Sequence, residues 1–150
     1  MANRVEFELV TPERVLLSEM VEMVVVPGTE GNFGVLPGHA PLISTIRPGM
    51  IEIYQGQTVT RRIFVVSGIA EVTPERCTVL ADEAISPDTL DRSAIEADLR
   101  IVEGNLPSMR DQVARAAGTD RDRLLIELHR LERDQAVLLA KLQAFGETAR

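Results

Sequence analysis

Through the first part of the chain, apolar positions alternate with polar ones. Val5, Phe7 and Leu9 fall on one side and Glu6 and Glu8 on the other, and Ile51 and Ile53 flank Glu52 with Tyr54 beyond. A period of two is the pattern of a half-buried strand. Further strand candidates are Val15 to Leu17, Val21 to Val26, Leu42 to Arg47, Thr58 to Val66, Ile69 to Val72 and Thr78 to Ala81. Turn dipeptides at Pro27-Gly28, Pro37-Gly38, Pro48-Gly49 and Ser67-Gly68 separate many of them. Short strands joined by such turns predict a β-sandwich or barrel.

Near Ser86-Pro87 the pattern changes. Residues 1–85 hold seven of the ten glycines and six of the eight prolines, and beyond them the apolar period becomes helical. Leu124, Leu128, Leu131, Gln135, Leu138, Leu142 and Phe145 follow one another at spacings of 4, 3, 4, 3, 4 and 3, one face of a long helix. Thr119 or Asp120 is placed to cap its start and Gly146 to end it, which predicts a helix over about 120–145. An earlier helix is marked by Leu90, Ala94, Ala97 and Ile101 on one edge and Ile95, Leu99, Val102 and Leu106 on the next, with Asp91 as N-cap. Gly104, Asn105 and Pro107 are expected to interrupt it, and Pro107 is able to open a short extra helix through Ala117, so two helices or three are both open. The expected division is a β-sandwich over 1–85 and a helical hairpin over 86–150. The leucine stripe packs against the sandwich or the other helix at rest. Gln135 in its middle favours releasable packing, because an amide there needs a partner.

Composition narrows the function classes. Only 3% of the residues are aromatic and Trp is absent, so the core is to be built from Val, Leu, Ile and Met. A net charge of -7 with no basic patch in the first half argues against nucleic-acid binding. Cys77 is the only cysteine, which excludes an internal disulfide and a multi-cysteine zinc site and fits a reducing compartment. It lies in a strand-like run and reads as a small core residue. Residues 1–10 carry Arg4, Glu6 and Glu8 and lack the apolar stretch of a secretory signal or the Arg-rich helix of a mitochondrial presequence. The apolar run Met23 to Val26 is far shorter than the roughly 20 residues that cross a bilayer, so membrane association is expected only through a partner.

Chemistry is sparse. The two histidines, His39 in a turn and His129 on the long helix, have no His or Cys at a ligand spacing, and there is no G-x-S-x-G elbow. No catalytic residue, metal or cofactor is expected. The glycines at 28, 31, 34 and 38 are interleaved with Glu30 and Pro37 and lack the Lys-Ser or Lys-Thr of a phosphate loop. Tight turns and close backbone approach account for them. Asp82 and Glu83, read as neighbours on a strand, point to opposite faces and make a poor acid/base pair.

The stretch VPGTEGNFGVLPGHAPLISTIRPGMI, residues 26–51, resembles the most characteristic segment of ATP synthase epsilon subunits. Three further pieces agree with that family in order and spacing. They are Val10-Thr11-Pro12-Glu13 between the first two strands, Val65 to Val72, and Thr78 to Ala84. The resemblance implies a sandwich of about ten strands with a C-terminal helical hairpin. It implies a non-catalytic rotor subunit, peripheral on the cytoplasmic face of the bacterial inner membrane. The partners it implies are the gamma subunit and the polar loops of the c-ring, with the alpha and beta subunits of the catalytic head reached by extended helices that inhibit ATP hydrolysis. Carried over by position, the interface residues are Glu30, Gly31, Asn32, Phe33 and Gly34, with the turn Leu36, Pro37, His39 close by. Asn32 stands where relatives are often acidic. For His39, a turn role bonded to nearby backbone and a partner contact stay open. Arg121, Arg123, Arg130 and Arg133 are the helix residues able to meet acidic groups of the head, or else to pair with the acidic residues among them. The family's ATP motif would begin at Leu90-Asp91, but its Arg is missing, Arg92 being displaced by two residues. Weak ATP binding or none is expected. A second reading, a free β-sandwich that senses a small ligand and dimerises through its helices, is compatible with the same stripe.

Overall fold

The structure is a computed structural model and describes residues 3–148. The described residues divide into two compact units, one ending at Thr89 and the other beginning at Leu90. The first holds ten strands: β1 Val5–Val10, β2 Val15–Val21, β3 Met23–Gly28, β4 Gly31–Val35, β5 Leu42–Ile46, β6 Gly49–Gln55, β7 Thr58–Val65, β8 Gly68–Val72, β9 Arg76–Ala81 and β10 Ala84–Ile85. They run in the order β10-β7-β6-β3-β5-β8-β9-β1-β2, with β4 paired to β3. All the pairings are antiparallel except β1 with β9.

β3 and β5 share a single pair, Gly28 with Ile46, and there the sheet turns over on itself. Both arms then bury into one cluster, with Val24, Val26, Ile51 and Ile53 from one side and Phe7, Leu9, Val72 and Val79 from the other. Alternation is the cause. β1 reads buried, half-buried, buried along its length, so Val5, Phe7 and Leu9 are wholly inside while Glu6 and Glu8 stay at the surface. Cys77 is part of this cluster, and burial pushes its thiol up to about 12. Among the described residues no polar or charged side chain is buried.

β4 and β10 were not among the expected strands. In β4, glycines at 31 and 34 and an exposed Asn32 break the apolar pattern, leaving only Phe33 and Val35 to bury. Pairing with β3 through five residue pairs makes it a strand all the same. β10 is two residues long, too short for periodicity to register. Asp82 and Glu83 lie in the β9–β10 link, both exposed, rather than on a strand. The Asp82 carboxylate accepts from Ser67 Oγ.

The second unit is an αα-hairpin of α1 Arg92–Arg115 and α2 Gly118–Thr148. Asp91 caps α1, its Oδ1 accepting from Ser93 N at 3.0 Å and Ala94 N at 3.3 Å. The expected interruption near Gly104 does not occur: α1 runs 24 residues straight through Pro107. Val102, Leu106, Met109 and Val113, at spacings of 4, 3 and 4, pack with Leu124, Leu125, Leu128 and Leu131 of α2. A packed stripe spanning the breaker outweighs the local penalty of proline, which sits exposed with its ring away from the contact. Among the described residues the α-helices are therefore two. The second starts at Gly118, just ahead of the expected cap, and continues past Gly146. Gln135 is half-buried, and its amide donates to Glu103 Oε2 of α1 at 3.0 Å, the partner its place in the stripe demanded.

Candidate functional site

The segment singled out by sequence is the β3–β4 hairpin and the turn after it. Gly28 pairs with Gly31 across a turn made by Thr29 and Glu30. A Cβ on Gly28 would stand 2.9 Å from both Phe33 Cε1 and the Gly31 carbonyl oxygen, so glycine is what lets the Phe33 ring lie across the hairpin. Phe33 is half-buried and packs on the core cluster, which leaves Glu30, Gly31, Asn32 and Gly34, together with Thr29, as the exposed members of the tip.

The tip is tied to the end of β5. Thr29 N donates to Thr45 O at 3.0 Å, the two threonine hydroxyls meet at 2.8 Å, and Arg47 N donates to Pro27 O at 3.0 Å. The Arg47 guanidinium reaches further. Its Nη1 donates to Gly28 O and its Nη2 to Asn32 Oδ1, each at 2.6 Å, with the donor's charge strengthening both bonds. Asn32 thus has its side-chain oxygen engaged within the chain and turns its amide N–H groups outward. Sequence reasoning did not single out Arg47. Its partners are 19 and 15 residues away, and no periodicity links a residue before a Pro-Gly turn to a hairpin across the fold.

Leu36, Pro37 and His39 lie at the other end of β4. Gly31 and Val35 are four residue steps apart, roughly 13 Å of strand, so the tip and this turn do not form one patch. Leu36 is 54% exposed. Gly38 N donates to Pro74 O at 2.8 Å and His39 N to Leu36 O at 3.2 Å, while His39 Nδ1 bonds Ala40 O at 2.7 Å. With a carbonyl as partner, Nδ1 carries the proton. Beside this turn a surface hollow of about 480 Å³ is lined by Arg4, Glu6, Met20, Pro37, Gly38, Pro74 and Glu75. Its neighbour, about 400 Å³, is lined by Glu71, Thr73, Thr78 and the Glu6–Arg76 pair, bonded at 3.0 Å.

On the helices, Arg123 pairs with Asp120 at 3.8 Å and Arg130 with Glu127. Arg121 and Arg133 are exposed and form no salt bridge among the described residues. At Leu90-Asp91 the Asp91 carboxylate is spent on the helix cap, and Arg92 on Glu96 at 3.0 Å. No group of three His, Cys, Asp or Glu able to hold a metal occurs among the described residues, and no described helix is long and apolar enough to cross a membrane.

The described residues thus form a sandwich with an apolar interior and an exposed, hydrogen-bonded hairpin tip, and an αα-hairpin. The family described as ATP synthase, Delta/Epsilon chain, beta-sandwich domain matches residues 4–87. The ATP synthase epsilon chain of Rhodospirillum rubrum is 55% identical over 116 residues, 77% of this chain and 87% of that one. That of Rhodospirillum centenum is 49% identical over 140 residues, 92% of each, and that of Maricaulis maris 40% over 150 residues, 99% of this chain and 98% of that one. A chain in the cryo-EM structure of Euglena gracilis mitochondrial ATP synthase (OSCP/F1/c-ring, rotational state 1) has the same fold, with TM-score 0.72 at 18% identity, covering 97% of this chain and 83% of that one. The chain belongs to the ATP synthase epsilon chain family and is a non-catalytic subunit.

Proposed function

We propose that this protein is a rotor element of the ATP synthase central stalk, whose β unit binds the gamma subunit and the membrane c-ring and whose αα-hairpin restrains ATP hydrolysis by engaging the alpha/beta head. The observation that carries the reading is the extent of the family match. Identity of 49% runs through 92% of the chain, including both the sandwich and the hairpin. The physical design is consistent with it. Torque passes through packed surfaces, and the sandwich interior is closed, built of aliphatic side chains with Phe7 and Phe64 among them, and free of buried polar groups among the described residues. The tip at Glu30, Gly31, Asn32 and Gly34 is the part proposed to meet the ring, and Arg121, Arg133 and the locally paired Arg123 and Arg130 are the groups proposed to meet acidic residues of the head. Membrane association follows from the ring, on the cytoplasmic face of a bacterial inner membrane. Purification of a tagged chain from membranes is expected to recover a gamma subunit and a c-ring. Repeated recovery of the chain without either overturns the proposal.

A further inference from the structure

We propose that Arg47 is the positioning residue of the β3–β4 tip. It sets the shape in which the tip meets its partner without itself being the contact. The proposal rests on the reading of the tip as an interface.

Four sets of bonds tie the tip to the end of β5, and three of them, from Thr29 N, the Thr29 hydroxyl and Arg47 N, stop at or before the turn. Only the Arg47 guanidinium spans it, holding Gly28 O on the outgoing strand and Asn32 Oδ1 on the returning one. A planar fork suits that task because one rigid group fixes two acceptors at once. The fork is itself held. Arg47 precedes Pro48, which confines its backbone to extended conformations, and its own N–H is bonded to Pro27 O. Among the described residues it forms no salt bridge, so no competing carboxylate draws it away from the tip.

The clamp also fixes what the tip displays. With one lone pair of Oδ1 taken by Arg47, Asn32 presents chiefly its N–H donors, and the exposed Glu30 in the turn presents carboxylate acceptors. The surface is a donor and an acceptor two residues apart, complementary to a polar loop carrying both. An Asp at position 32 would keep the clamp, now as an ion pair, and lose the donor.

Two measurements on the full-length chain test this. The first is amide hydrogen exchange over residues 28–34, with the amides of β8 and β9 as an internal control. Arg47→Ala, which removes both guanidinium bonds, and Asn32→Ala, which removes one of them, are each expected to speed exchange at the tip by about ten-fold or more. The double variant is expected to be no worse than Arg47→Ala alone, because that variant already removes the bond that Asn32→Ala breaks. Arg47→Lys recovers part of the protection and Asn32→Asp nearly all of it. Unchanged exchange in Arg47→Ala overturns the proposal whatever the partner does, and if that variant does not fold, Asn32→Ala and Arg47→Lys decide. The second is binding to detergent-solubilised c-ring. About ten-fold weaker binding by Arg47→Ala, with Arg47→Lys between it and the wild type, supports a positioning role. A loosened tip that binds the ring as tightly as the wild type contradicts it. Failure of the wild-type chain to bind the ring contradicts the interface reading instead, and the exchange experiment still tests the clamp.

Discussion

The two units bury their apolar residues differently. In the sandwich, residues brought together from distant strands are wholly inside, Phe7, Leu9, Ile51 and Ile53 among them at 0% exposure. In the hairpin, the stripe between α1 and α2 is thinner. Only Leu106, Val113 and Leu128 of that cluster count as buried, and Leu124, Leu125 and Leu131 are partly exposed. The sandwich joins consecutive strand pairs such as β1–β2 and β6–β7 through long-range pairings such as β1 with β9 and β5 with β8. The hairpin is local, carries a proline in mid-helix, and ties its helices with the exposed Gln135–Glu103 bond and an Arg110–Glu132 pair at 3.9 Å. Exposed pairs of this kind contribute little. One unit is suited to transmit force and the other to change its packing, which is the division of labour proposed for them.

Substitutions in the two cores give the largest test. Phe7→Ala is expected to cost about 3–5 kcal/mol and Leu128→Ala about 2–3 kcal/mol, the lower end of the range for large-to-small changes. Urea unfolding followed by circular dichroism measures both. Equal costs would erase the contrast between the cores. An effect of opposite sign is expected at the proline. Replacing Pro107 with Ala restores a helix N–H and removes a steric conflict, and is expected to stabilise the hairpin by up to about 3 kcal/mol while leaving the sandwich amides unmoved in hydrogen exchange. No gain would mean that α1 bears no strain there.

An effect confined to alkaline pH concerns Cys77. Its folded-state thiol is raised from about 9 to about 12 by burial, so the folded chain holds this proton more tightly than the unfolded one. The resulting stability is full below pH 9 and is lost as pH rises from 9 towards 12, by at most about 1.4 kcal/mol per pH unit. Stability of the sandwich measured across that range is expected to fall. At neutral pH a thiol reagent is expected to modify Cys77 only after denaturation, and rapid labelling of the native chain would contradict its burial.

These contrasts show where the sequence was legible. Strands such as β1 were readable because Val5, Phe7 and Leu9 bury one whole face. β4 was not, because Gly31, Asn32 and Gly34 are kept small or exposed by the hairpin, and only pairing with β3 reveals a strand. In α1, Pro107 was read by its local cost, whereas Leu106 and Val113 respond to α2. At the candidate site the residue types and turns were visible in residues 26–51. What escaped was three-dimensional: that Phe33 turns inward, that the Leu36–His39 turn lies at the far end of β4, and that Arg47 closes the tip through partners 15 and 19 residues away.

The central claim is that the sandwich docks and the hairpin regulates. Its most direct test is ATP hydrolysis by membranes whose only copy of this subunit ends at Thr89, the limit of the first compact unit. The account predicts that the shortened chain still assembles with gamma and the c-ring and that hydrolysis is equal to or faster than with the full chain. Loss of assembly, or hydrolysis slower than with the full chain, would contradict it.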